Sequence, residues 1–516
     1  MTKRVEIALL LAIIVIGFVL RWTGLEWGEG YQPSAIGDEI EAYRVGLGLV
    51  HGERQAFYLG EPEDSGVHVA GPLFALCWAG LLLAGGGPDA MTATIIVLSM
   101  FGIILVYLLA KRLFNGPVAL WASLFCATSP WPVYNSVGCW SPPFMAVLGA
   151  ALYLALWDVM TRPRSAQVFW VMLIPAAMLQ FLMFGMFLLP GILVLLGLRF
   201  PEVNRRWLIA GLVAGVLLYV PYVVGETLND WENTRKFLSV HNSFSVASFK
   251  SLSLPVAAMS SYFASAVGGR FAEYGQFGDD MFGSFGVVLT FNALSIVLAV
   301  VFVVHFVRRL IAALRGNWWA PRRAWAAAPA TVFAGVLLLT PLLLFALIGR
   351  NYASRYVIVE YPLLFLLPAL FLTAPIGPRW RKLIGAAVTL TVGFNLLLTP
   401  AFFRYQRNLI DHGDYFVASF RRMEQVHQQL VADAGPACRV RVDPAAFAGP
   451  RFASTNCGPW LLATYVDVVE HYDPQRQAAQ QVQVYRAERL ANLAEGRAAV
   501  VYAGHGIALV KAPHQR

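Results

Sequence analysis

Three short polar stretches, each set against long apolar runs, carry the residue types that could do chemistry. The first, SAIGDEIEAYRVG (Ser34–Gly46), holds adjacent acids at Asp38 and Glu39, then Glu41 and Arg44. A carboxylate held at a membrane surface can act as general base on a hydroxyl. The second, GRNYASRYVIVEYP (Gly349–Pro362), supplies Arg350, Arg355, Tyr352, Tyr356 and Glu360. An arginine fork matches a phosphate in geometry as well as charge, and tyrosine hydroxyls can add donors. On a helix beginning near Ser354, Tyr356 and Glu360 stand four apart on one face. The third, SPWPVYNSVGCWSPP (Ser129–Pro143), is a proline-rich turn with Tyr134, Asn135, Trp140 and Ser141. Each has a plainer reading: interfacial arginines also hold lipid headgroups, and an acidic loop can simply meet water.

The elements that position these stretches follow from composition. The chain has 516 residues, 58% hydrophobic and 13% charged, with a mean hydropathy of +0.59. Such values belong to a polytopic membrane protein. Apolar runs long enough to cross are 5–22, 90–110, 117–134, 143–160, 168–184, 185–198, 207–225, 283–306, 325–348, 356–374 and 383–403. The net charge of +9 does not point to nucleic acid, because the lysines and arginines cluster between these runs. If such clusters mark cytoplasmic loops, an arrangement of about 11 transmembrane helices puts every one of them inside, provided that the further run 69–86 does not cross. That run is then re-entrant or surface-lying, beside periplasmic juxtamembrane helices such as 39–50, and the N-terminus is cytoplasmic. The loop 23–68 agrees, with nine acids against two arginines. Arg350 and Arg355, in a short exterior turn, run against this bias and ask for an anion outside. Glu360 is the acid expected well inside a span, a charge profile too sparse for an ion-coupled transporter.

The fold class expected is therefore all-α and polytopic over 1–403, with exterior loops 23–68 and 226–282, followed by a small periplasmic α/β domain over 404–516. In that tail a helix-like stretch at Tyr415–Asp433 precedes strand-like runs CRVRVD, AAVVYAG and IALVKA. Cys438 and Cys457 fall there, where an oxidising compartment permits a disulfide. Asp279 and Asp280 read as acids at a helix start, after a loop whose Arg270 and Tyr274 suit a lid. His68, with Glu63 and Asp64, could help bind a divalent metal, though a lone histidine among loop acids is more often solvated. There is neither a P-loop nor a GxGxxG between strand and helix, so no nucleotide is expected.

Taken in order, GDE after the first span, GPLF (Gly71–Phe74), YLLAKRLFNG (Tyr107–Gly116), SPWPVY and SRYVIVEYPLLFLL resemble the polyprenyl-phosphate-sugar-dependent membrane glycosyltransferases of the C superfamily. Within it the sequence is most similar to the protein mannosyltransferase and lipid A aminoarabinose transferase group, over about residues 1–403 and not the tail. The resemblance implies Asp38 as catalytic carboxylate with Glu39 beside it, Arg355 on the donor phosphate with Arg350, Tyr356 and Arg44 near, and an inverting transfer in the bacterial inner membrane. Where some relatives carry a second acid after the SP…Y stretch, this chain reads NSVGCWSPP. Tyr134, Asn135, Trp140 and Ser141, with Tyr352 and Glu360, then become candidates for the sugar and acceptor pocket. A lysine common before the GPL-like motif is replaced by Val69 and Ala70, and His68 is the nearest substitute. The partners implied are a polyprenyl-phosphate-linked sugar, membrane lipids and a lipid, glycan or protein acceptor, with no nucleic acid. A ligase or polymerase moving longer lipid-linked glycans, and a non-enzymatic lipid or glycan transporter, are the competing readings.

Overall fold

The computed structural model describes residues 2–27, 36–53, 58–60, 68, 71–241, 285–315, 321–348, 358–374, 377–411, 427–428, 432, 438–442, 480–486, 499–504 and 507–511. The first helices are α1 (Lys3–Trp27), α2 (Ile36–Val50), α3 (Leu73–Leu83), α4 (Pro88–Leu113), α5 (Gly116–Thr128), α6 (Pro130–Asn135) and α7 (Pro142–Thr161). They are followed by α8 (Gln167–Leu179), α9 (Leu189–Arg199), α10 (Arg205–Leu218), α11 (Val220–Leu228) and α12 (Glu232–His241). The last are α13 (Phe285–Leu314), α14 (Pro321–Ala327), α15 (Pro329–Ile348), α16 (Tyr361–Leu364), α17 (Leu366–Thr373) and α18 (Pro378–Asp411).

Among the described residues, seven helical runs are long and apolar enough to cross a membrane: Lys3–Leu25, Pro88–Leu113, Pro142–Thr161, Gly185–Glu202, Arg205–Leu228, Val297–Leu314 and Pro378–Arg404. Five shorter apolar helices accompany them, at Leu73–Leu83, Gly116–Thr128, Gln167–Leu179, Pro329–Pro341 and Ile358–Thr373. This is a helical membrane protein. The 11 residues of α3 make about 17 Å of helix, well short of the roughly 30 Å of a hydrocarbon core.

Several expected spans are broken, among them 207–225 at Tyr219 and 325–348 at Ala328. The run 117–134 ends as a helix at Thr128, because Ser129 precedes proline and takes an extended conformation, φ −63° and ψ 130°. Pro130 then opens α6, where a missing N–H costs nothing. The run 356–374 is divided at Phe365 into α16 and α17. Between α8 and α9 a 3-10 turn, Met183–Leu188, replaces continuous helix.

One core runs through the bundle, from Ile40 of α2 and Trp78 of α3 through α4–α9 to Phe333 of α15 and the segment 358–371. A smaller cluster joins Leu20 of α1, Val133, Tyr134 and Val137 to Leu398, Phe402 and Phe403 of α18. In the tail, strands β1 (Cys438–Val442), β2 (Gln480–Arg486), β3 (Ala499–Gly504) and β4 (Ile507–Lys511) form one sheet ordered β1-β2-β4-β3. The β1/β2 pair is parallel, while β2/β4 and β3/β4 are antiparallel. The run QQVQVYR, which forms β2, was not among the sequence expectations.

Candidate active site

The adjacent acids Asp38 and Glu39 sit in the first turn of α2, and Glu39 is only 1% exposed. Its Oε1 accepts a hydrogen bond from the backbone N–H of Cys139, 2.9 Å away. This bond spans 100 residues and joins α2 to the proline-rich turn between α5 and α7. Gly138 makes the approach possible: a Cβ there would collide with Glu39 Oε1 and lie 3.0 Å from the Trp140 ring. The turn holds itself through Ser136 Oγ, which donates to Val133 O at 2.7 Å, and Trp140 Nε1, which donates to Asn135 O at 3.2 Å. Tyr134, Asn135, Trp140 and Ser141 are all buried within it.

Sequence reasoning missed Arg21, which lies within α1 and is only 1% exposed. Its guanidinium donates to three carbonyls: Nη1 to Gly17 O and Ala127 O, both at 3.0 Å, and Nη2 to Cys126 O at 3.1 Å. The carbonyl of Cys126 would ordinarily accept from residue 130, but that residue is proline and has no N–H to give. Arg21 supplies the donor, at a helix C-terminus where a cation is favoured. The signal in the sequence was the pairing of an arginine in the last turns of an apolar run with SPWP after another. Charge inside the spans is therefore not confined to Glu360. A cavity bounded by Arg21, Cys126, Asn135, Ser136, Tyr361 and Pro362 lies beside this junction.

Glu360 caps the segment leading into α16 and is 1% exposed, with no partner for Oε1 among the described residues. Tyr153 of α7 donates its hydroxyl to Val359 O at 3.1 Å and fixes this segment against the bundle.

The segment before α3 and helix α12 meet at His68. Its N–H donates to Asn233 Oδ1 at 2.7 Å, and Asn233 Nδ2 donates back to His68 O at 3.1 Å. Asn233 Nδ2 also reaches Tyr222 Oη at 2.9 Å. His68 Nδ1 lies 3.1 Å from Gly60 O; a carbonyl only accepts, so Nδ1 carries the proton. Burial pushes the imidazole below its ordinary value, against a smaller upward pull from that hydrogen bond. Arg44 is not a free cation, since its Nε lies 2.7 Å from Glu41 Oε2.

The structure thus brings together Glu39, Tyr134, Asn135, Trp140 and Ser141, and places His68 on the neighbouring loop contact. Asp38 has a helical backbone position in α2; its side chain, like Arg350, Tyr352, Arg355 and Tyr356, lies outside the described residues, as do Glu63, Asp64, Arg270, Tyr274, Asp279, Asp280 and Cys457. Cys438 stands at the start of β1. Among the described residues no three His, Cys, Asp or Glu side chains gather as a metal site would require.

Two solved structures share the fold of this chain. ArnT from Cupriavidus metallidurans bound to undecaprenyl phosphate aligns with a TM-score of 0.57 at 14% identity, over 99% of this chain and 98% of that one. The apo form of ArnT aligns with a TM-score of 0.58 at 14% identity, over 98% and 97%. The chain shares the ArnT fold. The alignment with ArnT runs through the tail as well as the bundle. No protein-family model and no curated protein sequence matches the chain.

Proposed function

We propose that this protein is an integral membrane glycosyltransferase that moves a sugar from a polyprenyl-phosphate donor to an acceptor at the outer face of the inner membrane. The sharing of a fold with a protein solved with undecaprenyl phosphate supports the donor class. The positive-inside arrangement of the loops supports eleven crossings, an inside N-terminus and a periplasmic tail domain from about residue 404.

Asp38 takes the proton from the attacking group of a lipid, glycan or protein acceptor as that atom bonds to the anomeric carbon. The bond from that carbon to the phosphate oxygen breaks on the opposite face, so the configuration inverts, and the electron pair leaves with the polyprenyl phosphate. Arg355, assisted by Arg350, offsets the charge that grows on that oxygen. Glu39 serves as a positioning residue, because its carboxylate is already committed to the Cys139 N–H. The observation that carries this reading is that bond, which fixes the backbone of Asp38 against the turn holding Asn135 and Trp140.

The test is Asp38→Asn with Arg355→Ala, assayed with lipid-linked sugars extracted from membranes. Asp38→Asn should bind donor normally and lose turnover by about 10²- to 10⁴-fold, the usual scale of general-base catalysis. Arg355→Ala should weaken donor binding. A chain that only transports would keep its flux after Asp38→Asn, and full turnover in that variant would refute the assignment.

A further inference from the structure

At the end of the bundle where α8 and α10 begin, the protein carries a cleft bounded by Arg162, Pro163, Arg164, Ser165 and Glu202. The two helices run parallel and in close contact: a Cβ on Gly211 would lie 2.6 Å from Phe169 O, and Gly215, four residues on, faces Ala176. Small residues at that spacing let membrane helices approach closely. Asn204 N–H donates to Pro163 O at 3.3 Å, so the turns before the two helices are joined as well.

The acids here are already used. Asp158 lies between Arg112 at 2.8 Å and Arg162 at 3.2 Å, and Glu202 pairs with Arg199 at 3.1 Å. Arg164, Arg205 and Arg206 are exposed and make no ion pair among the described residues. Ser165 Oγ is shut off from solvent and has no hydrogen-bond partner among the described residues. One turn further along, Trp170 and Trp207 stand exposed on either side of Phe169. Tryptophans favour the membrane–water boundary, which puts the arginines at headgroup depth. Beyond Trp207 the outer face of α10 is apolar, with Ile209, Leu212, Val213 and Val216 exposed.

We propose that this cleft binds the phosphate headgroup of an anionic phospholipid, whose acyl chains lie along the apolar outer face of α10. The surplus of arginine over acid supplies the attraction, and the tryptophans set the depth. The proposal does not depend on the donor phosphate assigned to Arg355.

Native mass spectrometry of the full chain in detergent, with phosphatidylglycerol, phosphatidylcholine, undecaprenyl phosphate and inorganic phosphate as separate probes, tests the proposal. Wild-type protein should retain phosphatidylglycerol over phosphatidylcholine, and retention should fall as salt is raised. The double variant Arg164→Gln/Arg205→Gln should weaken it by roughly thirtyfold, from the contribution of two arginines near an anionic surface, while leaving undecaprenyl phosphate binding unchanged. Lysine at both positions should keep the binding. Salt-independent retention, equal retention of phosphatidylcholine, an unaffected glutamine variant, or displacement by equimolar inorganic phosphate would each overturn it.

Discussion

Replacing Glu39 by alanine tests whether the contact between α2 and the proline-rich turn sets the reactive geometry. The substitution removes a hydrogen bond to a charged acceptor, about 1.5–3 kcal/mol, and leaves the Cys139 N–H buried and unsatisfied, about 1–3 kcal/mol. The two costs overlap, so a total of about 3 kcal/mol is expected. If half of it falls on the placement of Asp38, turnover drops roughly tenfold, since 1.4 kcal/mol is a factor of ten. Glu39→Gln keeps an acceptor oxygen and should recover most of that loss, which separates a positioning residue from one that exchanges a proton. Gly138→Ala should mimic Glu39→Ala, because the added methyl collides with the same carboxylate. The pair should be non-additive by about 0.5–3 kcal/mol in a double-mutant cycle. The assays are thermal melting in detergent and initial rates of sugar transfer from membrane-extracted donor, with kcat and KM separated. Wild-type melting and turnover in Glu39→Ala, or strict additivity with Gly138→Ala, would refute the reasoning.

Arg21→Gln should destabilise the protein by about 3 kcal/mol, because the carbonyls of Cys126 and Ala127 lose buried donors; an unchanged melting curve would remove Arg21 from the architecture. The contact between His68 and Asn233 should depend on pH. Burial holds its folded value below the ordinary one near 6.5, so the unfolded state takes the proton first. Stability of the contact is therefore complete above about 6.5 and declines as pH falls below it. Hydrogen exchange of the Asn233 region between pH 8 and pH 5 should show this loss in wild type and not in His68→Gln.

Much of the bundle was legible because apolar runs and basic clusters report directly on lipid and on loop charge. The breaks were less legible. Ser129 falls inside an apolar run, and only the proline rule, set against the hydropathy, ends that helix. Asp38 and Glu39 stood out as acids beside a span, yet their spacing could not say which one is occupied elsewhere. That distinction depends on a partner 100 residues away, the backbone of Cys139. Arg21 was passed over because it lies near the end of a run, where arginines commonly snorkel to water. Its partners include the carbonyl of Cys126, left without a helical donor by Pro130, more than a hundred residues later.

That same separation bears on how the chain is made. Arg21 reaches its partner Ala127 across 106 positions, and at 5–20 residues per second the ribosome needs roughly 5–20 s to supply them. Until then the first helix carries a cation with little to bond, at a cost of roughly 2.5–3.5 kcal/mol if it were held at the centre of the bilayer. The bonds from Arg21 to Cys126 and Ala127 can therefore form only after the fifth helix has emerged, and Pro130 leaves the Cys126 carbonyl open to meet it.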